Sequence, residues 1–382
     1  MSSPSLMFIA GDPSGDEHTA PIVERLRAGM PQVSLWGIGG PAMEKRGFTP
    51  VMPFAPFNRM GFAEVAAHLG FFLSARRTLI DTMKQRRPDA LVCVDYPGFN
   101  IPMMKASHKL GIPVVWYIAP MVWAWKQDRA AVLGAHAAHI AVIFPFEVPY
   151  FSRYEAPVSF VGNPTVEAMS LEGAFATKRS VHPGSTRRGN FRIAIVPGSR
   201  VQEIEHLLPR MLSAFSLLKQ RRPGLCATVS ACRDLPASLY RRIIGGAPVE
   251  VFDGRLREML GRADVAMVTS GTATLETALL GIPHVIAYHT SFVTHAIARR
   301  LIRIPFIGLP NIIAGKAIVP ECIQEQAAPE HLAAAASRFI ESPEEYDSTA
   351  SALIAVREKL GEKKTSAEVS SIIKTVCNRP RP

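Results

Sequence analysis

The chain has 382 residues, 48% of them hydrophobic and 20% charged, a globular composition with room for about two domains with full cores. A formal net charge of +11 calls for an anionic partner, which nucleic acid, a phospholipid surface or a nucleotide-sugar would each satisfy. Five cysteines with no CxxC pair argue against zinc or a disulfide framework and fit a reducing cytoplasm, no basic leader precedes Leu6–Ala10, and the longest apolar run, Ile112–Trp125, holds two prolines and falls short of the roughly 18 residues of a membrane span.

Along the chain, the first apolar run, Leu6–Ala10, opens into Gly11-Asp12-Pro13-Ser14-Gly15-Asp16 and an acidic helix start. Such a turn aims free helix N–H groups beyond the strand end, although an ordinary turn capped by Ser14 or Asp16 explains it equally well. It is not GxGxxG, so no dinucleotide cofactor is expected. A second run is Val33–Ile38. From Phe62 to Arg87 the positions Phe62, Val65, Leu69, Phe72, Leu79, Ile80 and Met83 keep helical spacing, widened by Phe71 and Leu73. Arg76, Arg77, Lys84, Arg86 and Arg87 flank this stripe, which suits either an anionic bilayer interface or a core helix with a solvated basic end. Glu64, inside Met60–Val65, is a candidate substrate contact.

Ala90–Asp95 places Asp95 at the carboxyl end of a buried strand, followed by Pro97, Gly98 and Asn100. A carboxylate there can accept a proton from a hydroxyl nucleophile, or can merely cap its own turn. Val114–Ile118, His139–Ile143 and Val158–Val161 are further strands, and the aromatic stretch Trp116–Trp125 reads as core. Ser170–Asn190, polar and basic with no hydrophobic period, is a linker.

The second half opens like the first. Arg192–Pro197 leads into Pro197-Gly198-Ser199-Arg200, where Gly198 permits close backbone approach and Arg200 can grip a diphosphate. After Leu225–Ser230 and Val249–Phe252, the run Asp264–Thr269 enters Ser270-Gly271-Thr272 and a helix bearing Glu276, which can accept from ribose hydroxyls. Either turn alone could be a plain helix cap; two in one domain with a helix acid fit a nucleotide diphosphate. Pro283–Ala287 follows, with Asn311 and Gln324 beyond it, and Pro209 is expected to kink the helix from Val201. Unalternating runs separated by helices are strands buried on both faces and joined by parallel crossovers. The fold class is α/β, with two Rossmann-like doubly wound domains facing across a cleft. No HxxxH or HExxH pattern supports a metal and no GxSxG elbow supports a serine nucleophile. No nucleic-acid motif accompanies the charge.

Together the segments GDPSGDEHTA, GIGGPAM, MGFAEV, VDYPGFN, APMVWAWKQDR, FPFE, VGNP, PGSRVQEI, SGTATLE and LPNIIAGKAIVPECIQ resemble the lipid-A-disaccharide synthase family over nearly the whole chain. The resemblance implies an inverting glycosyltransferase of GT-B fold without a cofactor. Its donor would be UDP-2,3-diacylglucosamine, its acceptor 2,3-diacylglucosamine 1-phosphate (lipid X), and its products a β-1,6-linked disaccharide phosphate and UDP. Asp95 matches the family's essential aspartate, Arg200 and Glu276 its UDP contacts, Asn311 its LPN asparagine, and Ser14, Gly15 and Asp16 its SGD. Glu64, Asn100, Gly198, Ser199, Ser270, Gly271, Thr272 and Gln324 complete the expected substrate-binding set. Asp12, Gly98, Asn163 and Glu167 depart from the family's usual glutamate, aspartate, histidine and aspartate. The expected plan is an N-terminal domain over 1–169, a linker over 170–190, a UDP-sugar domain over 191–342, and helices over 343–382 that return to the N-domain, in some members by exchange between subunits of a homodimer. The lipid substrates place the protein in the cytoplasm, peripheral at the anionic inner face of the membrane. The rival readings are another GT-B UDP-sugar enzyme, including an epimerase, and a non-catalytic nucleotide- or lipid-binding protein.

Overall fold

The computed structural model describes residues 3–57, 69–175, 191–290 and 304–378; Glu64 and residues 176–190 of the expected linker lie outside them. The described chain forms two compact units, one built from residues up to Glu167 plus the segment from Glu362, the other from Ala168–Gly361.

In the first unit, strands β1 (Ser5–Ala10), β2 (Ser34–Ile38), β3 (Thr49–Pro50), β4 (Ala90–Val94), β5 (Val114–Tyr117), β6 (His139–Val142) and β7 (Val158–Phe160) form a sheet of order β3-β2-β1-β4-β5-β6-β7. All neighbours are parallel, with Leu6 opposite Leu35 on one side and Ala90 on the other. Side chains alternate between two helical layers, because strand residues point to opposite faces in turn. Met7, Ile9, Leu91, Cys93 and Trp116 meet helices Leu69–Arg86 and Pro97–Lys109 on one face. Leu6, Phe8, Ala10, Val92 and Val94 meet helices Pro13–Gly29 and Thr365–Cys377 on the other. Strands wrapped on both faces need continuous apolar runs, which is why the sequence shows no alternation.

The second unit repeats the plan with β8 (Arg192–Val196), β9 (Cys226–Ser230), β10 (Glu250–Phe252), β11 (Val265–Thr269), β12 (His284–Tyr288) and β13 (Glu321–Ile323), in the order β10-β9-β8-β11-β12-β13. Helix Val201–Arg221 runs through Pro209 as a single element, with Leu207, Leu208, Met211 and Leu212 buried around it. Packing on both sides of the proline carries the helix across the lost hydrogen bond.

Thr49–Pro50 and Glu321–Ile323 have no counterpart among the expected strands, being too short to show a pattern. The tail divides rather than returning as a whole from residue 343. Pro343–Leu360 stays with the second unit through buried Tyr346, Ala350, Leu353 and Val356. Only Thr365–Cys377 covers the first unit, through Val369, Ile373 and Val376. Among the described residues, no helix is long and apolar enough to cross a membrane.

Candidate active site

In an open α/β sheet the loops that part at the strand-order reversal leave a crevice for ligands. The first unit reverses between β1 and β4, so the turn after Ala10 and the turn after Val94 emerge side by side. Asp95 and Tyr96 are consecutive left-handed residues, with φ of 41° and 51°. Each such non-glycine conformation costs about 1–3 kcal/mol and persists only where its surroundings fix it. Asn100 is a large part of that fixing. It is fully buried, and its Nδ2 donates to the carbonyls of Ile9 at 3.3 Å, Val94 at 3.1 Å and Asp95 at 2.8 Å. The Asp95 amide donates to Tyr117 O at 2.9 Å. Asn100 therefore shapes the turn that presents Asp95.

Burial first, and then the charge of Asp12, push the Asp95 carboxyl up to about 7, against the Tyr96 amide and the Arg129 guanidinium, which pull it down. Arg129 lies 5.1 Å from the Trp125 ring centroid, with Lys126 at 4.6 Å from the same ring. Sequence reasoning gave Glu147 no role. It is 1% exposed, accepts from Trp123 Nε1 at 3.2 Å and from the amides of Ile143 at 3.2 Å and Phe144 at 3.0 Å, and so ties the aromatic loop to β6. Burial drives this carboxyl up to about 8 against those three donors, with Asp95 adding to the rise. Its signal was the FPFE segment.

The remaining first-unit candidates divide. Asp12, not Ser14 or Asp16, caps the first helix, accepting from the Gly15 amide at 2.8 Å, while Ser14 is exposed in the first turn. Asp16 was expected beside substrate, but its carboxylate takes the amides of Gly40 and Ala42 at 2.9 Å and Met43 at 3.0 Å, capping helix Pro41–Glu44. The family departures are accommodated structurally. Asn163 Oδ1 accepts from the Thr165 amide at 3.0 Å, Glu167 grips the amide and hydroxyl of Ser366 at 2.8 and 2.5 Å, and Gly98 is exposed with open space beside its Cα.

The second unit reverses between β8 and β11. Gly198, Ser199, Arg200, Ser270, Gly271, Thr272 and Glu276 line one cavity of about 490 Å³ there, enough for a nucleoside diphosphate. Gly198 has φ of +109°, and a Cβ on it would collide with the Glu203 carboxylate; Gly271, with φ of +152°, starts helix Thr272–Leu279. The start of that helix, Gly271, Thr272 and Ala273, lines the cavity, and a helix start leaves its first N–H groups without intrahelical acceptors. Arg200 is 72% exposed and paired with Glu203 at 3.2 Å. Glu203, unassigned from sequence, also accepts from the amides of Ser199 at 3.1 Å and Arg200 at 3.3 Å. A glutamate three residues after the cap was its signal. Asn311 and Gln324 do not line the cavity. Buried Asn311 bonds the Ile318 and Val319 amides, Val319 O and Glu321, which holds the amides of Ile307 and Gly308; Ile307 O accepts the Ser270 hydroxyl at 3.2 Å. Gln324 pairs with both backbone groups of Thr290. Only Asn311 connects to the pocket, through Glu321, Ile307 and Ser270.

The sequence model of the lipid-A-disaccharide synthetase family matches residues 6–376. The lipid-A-disaccharide synthase of Geobacter sulfurreducens is 35% identical over 378 residues, covering 97% of each chain. Among solved structures, a putative UDP-N-acetylglucosamine 2-epimerase from Listeria monocytogenes superposes with a TM-score of 0.68 at 13% identity, over 100% of this chain and 99% of that one. The calicheamicin glycosyltransferase CalG4 does so with a TM-score of 0.64 at 15% identity, over 100% of both. At such identities these two show the fold alone, the paired Rossmann-like units of the GT-B class. With a family match from residue 6 to 376 and a relative aligned almost end to end, the chain belongs to the lipid-A-disaccharide synthetase family.

Proposed function

We propose that this glycosyltransferase moves 2,3-diacylglucosamine from UDP-2,3-diacylglucosamine to the 6-hydroxyl of lipid X. The second unit holds the nucleotide and Asp95 acts as general base. The acceptor oxygen attacks the anomeric carbon opposite the diphosphate; the new C–O bond forms as the bond to UDP breaks, and configuration inverts. Asp95 takes the hydroxyl proton, while the electron pair leaves with UDP. Arg200, released from Glu203, and the amides at Gly271–Thr272 offset the charge that develops on the diphosphate. Glu276 accepts from the ribose hydroxyls.

The observation that carries this reading is Asp95 itself, a carboxylate raised to about 7 on a strained turn at the sheet's reversal point. That value lets it be ionised before reaction and still accept a proton near neutrality. The test incubates the purified protein with both substrates and weighs the lipid product. Asp95→Asn is expected to lose about 10²–10⁴-fold in turnover, as loss of a general base does, with UDP affinity retained. Turnover within a few-fold of the wild type in that variant would remove the base assignment. Because both substrates carry acyl chains, the proposal includes peripheral docking at the anionic inner face of the cytoplasmic membrane, through helix Leu69–Arg86.

A further inference from the structure

Glu276 lines the cavity from helix Thr272–Leu279, but a partner behind it fixes its carboxylate. Arg257, on the short helix Leu256–Leu260, donates from Nε at 3.1 Å and from Nη2 at 3.0 Å, both to Oε1 of Glu276. The third branch, Nη1, donates to Glu172 Oε2 at 3.1 Å, and Arg255 approaches the other oxygen of Glu172 at 3.5 Å. Glu172 lies just past helix Pro164–Leu171, close after the point where the chain enters the second unit. The Arg257 and Glu276 side chains are only 20% and 14% exposed, so their contact is shielded from competing water.

We propose that Arg257 is a positioning residue for nucleotide recognition, holding Oε1 of Glu276 so that the carboxylate faces the vicinal hydroxyls of a ribose, with Glu172 as its anchor. The inference rests on the nucleotide occupying this cavity. Two donors on one oxygen fix the carboxyl plane, which one ion-pair contact would leave free to rotate. A planar guanidinium bridges two carboxylates along fixed directions from separate nitrogens, whereas a lysine ammonium offers one nitrogen and no fixed plane. Burial works against the Arg257 charge, yet Glu276 and then Glu172 outweigh it and raise its pKa. Arg257 therefore stays cationic.

A merely structural ion pair would affect folding, or binding of every nucleotide alike. The test therefore compares UDP with 2′-deoxy-UDP by calorimetry on the full chain, with the melting temperature of each variant recorded. The wild type should prefer UDP by about tenfold, the scale of one charge-assisted hydrogen bond. Arg257→Gln should lose about ten- to thirtyfold in UDP affinity and far less for the deoxy analogue, bringing the ratio close to one. Arg257→Lys, which keeps the charge and carries the test if the glutamine variant does not fold, should retain part of the preference, and Glu172→Gln should lower it by about two- to fivefold. A preference for UDP left at its wild-type value in Arg257→Gln, or in Arg257→Lys if only that folds, overturns the assignment while leaving the nucleotide site standing. A wild-type protein that binds neither nucleotide removes both.

Discussion

Asp95 can serve as a base near neutrality because groups from separate segments set its acidity. Burial and Asp12 raise it, while the Tyr96 amide and Arg129 lower it. In the proposed reaction the ionised form is the active one, so kcat/KM should fall as pH drops below about 7. Arg129→Gln removes a cation that favours the carboxylate, so the acid limb should move to higher pH; a limb that stays in place or moves down would show that Arg129 does not act on Asp95. The sequence revealed where Asp95 sits, at a strand end before a turn-forming Pro97. It could not reveal the acidity, because Asp12 and Arg129 lie 83 and 34 positions away. Asp16 shows the converse. Beside a glycine turn it looks like a ligand contact, and its bonds to the amides of Gly40, Ala42 and Met43, all distant in sequence, could not be read there.

Elements follow the same division. Helix Leu69–Arg86 was legible from its period, but how much of its broad apolar stripe is surface was not. Phe71 and Phe72 join an edge-to-face cluster with Phe57, which also meets Phe99, and Leu79 and Met83 enter the core. Leu73, 47% exposed, stays outside. The proposed membrane docking of this helix then leans on its cations, each contributing about 1 kcal/mol near an anionic surface. Reversing Arg76 and Arg77 to glutamate should weaken binding to phosphatidylserine-containing vesicles at least tenfold, with little change on neutral ones. Equal binding by the reversed protein would exclude this helix as the docking face.

At the scale of the whole molecule, strand runs and two matching glycine turns sufficed to read a pair of doubly wound sheets. The sequence was less informative about the tail, where two consecutive helices go to different units and only tertiary contacts decide which. Ile373, with no exposed surface, packs with Val369 and Val376 against the strands of the first unit. Ile373→Ala should cost about 2–5 kcal/mol, and denaturant unfolding followed by hydrogen exchange should place the loss in the first unit. A loss spread evenly over both units would contradict the assignment of this helix to one of them.

That arrangement also bears on how the protein is made. Residues 168–361 are contiguous, so the second unit has all of its own chain as soon as its last helix leaves the ribosome. The first unit begins before it and must wait for helix Thr365–Cys377, with the Phe8 and Val92 side of its sheet lacking Val369, Ile373 and Val376 until the second unit has been synthesised. Domains usually complete themselves in order of synthesis. Here the half that emerges first is the half that finishes last, and during that interval its uncovered apolar sheet is where a chaperone would be needed.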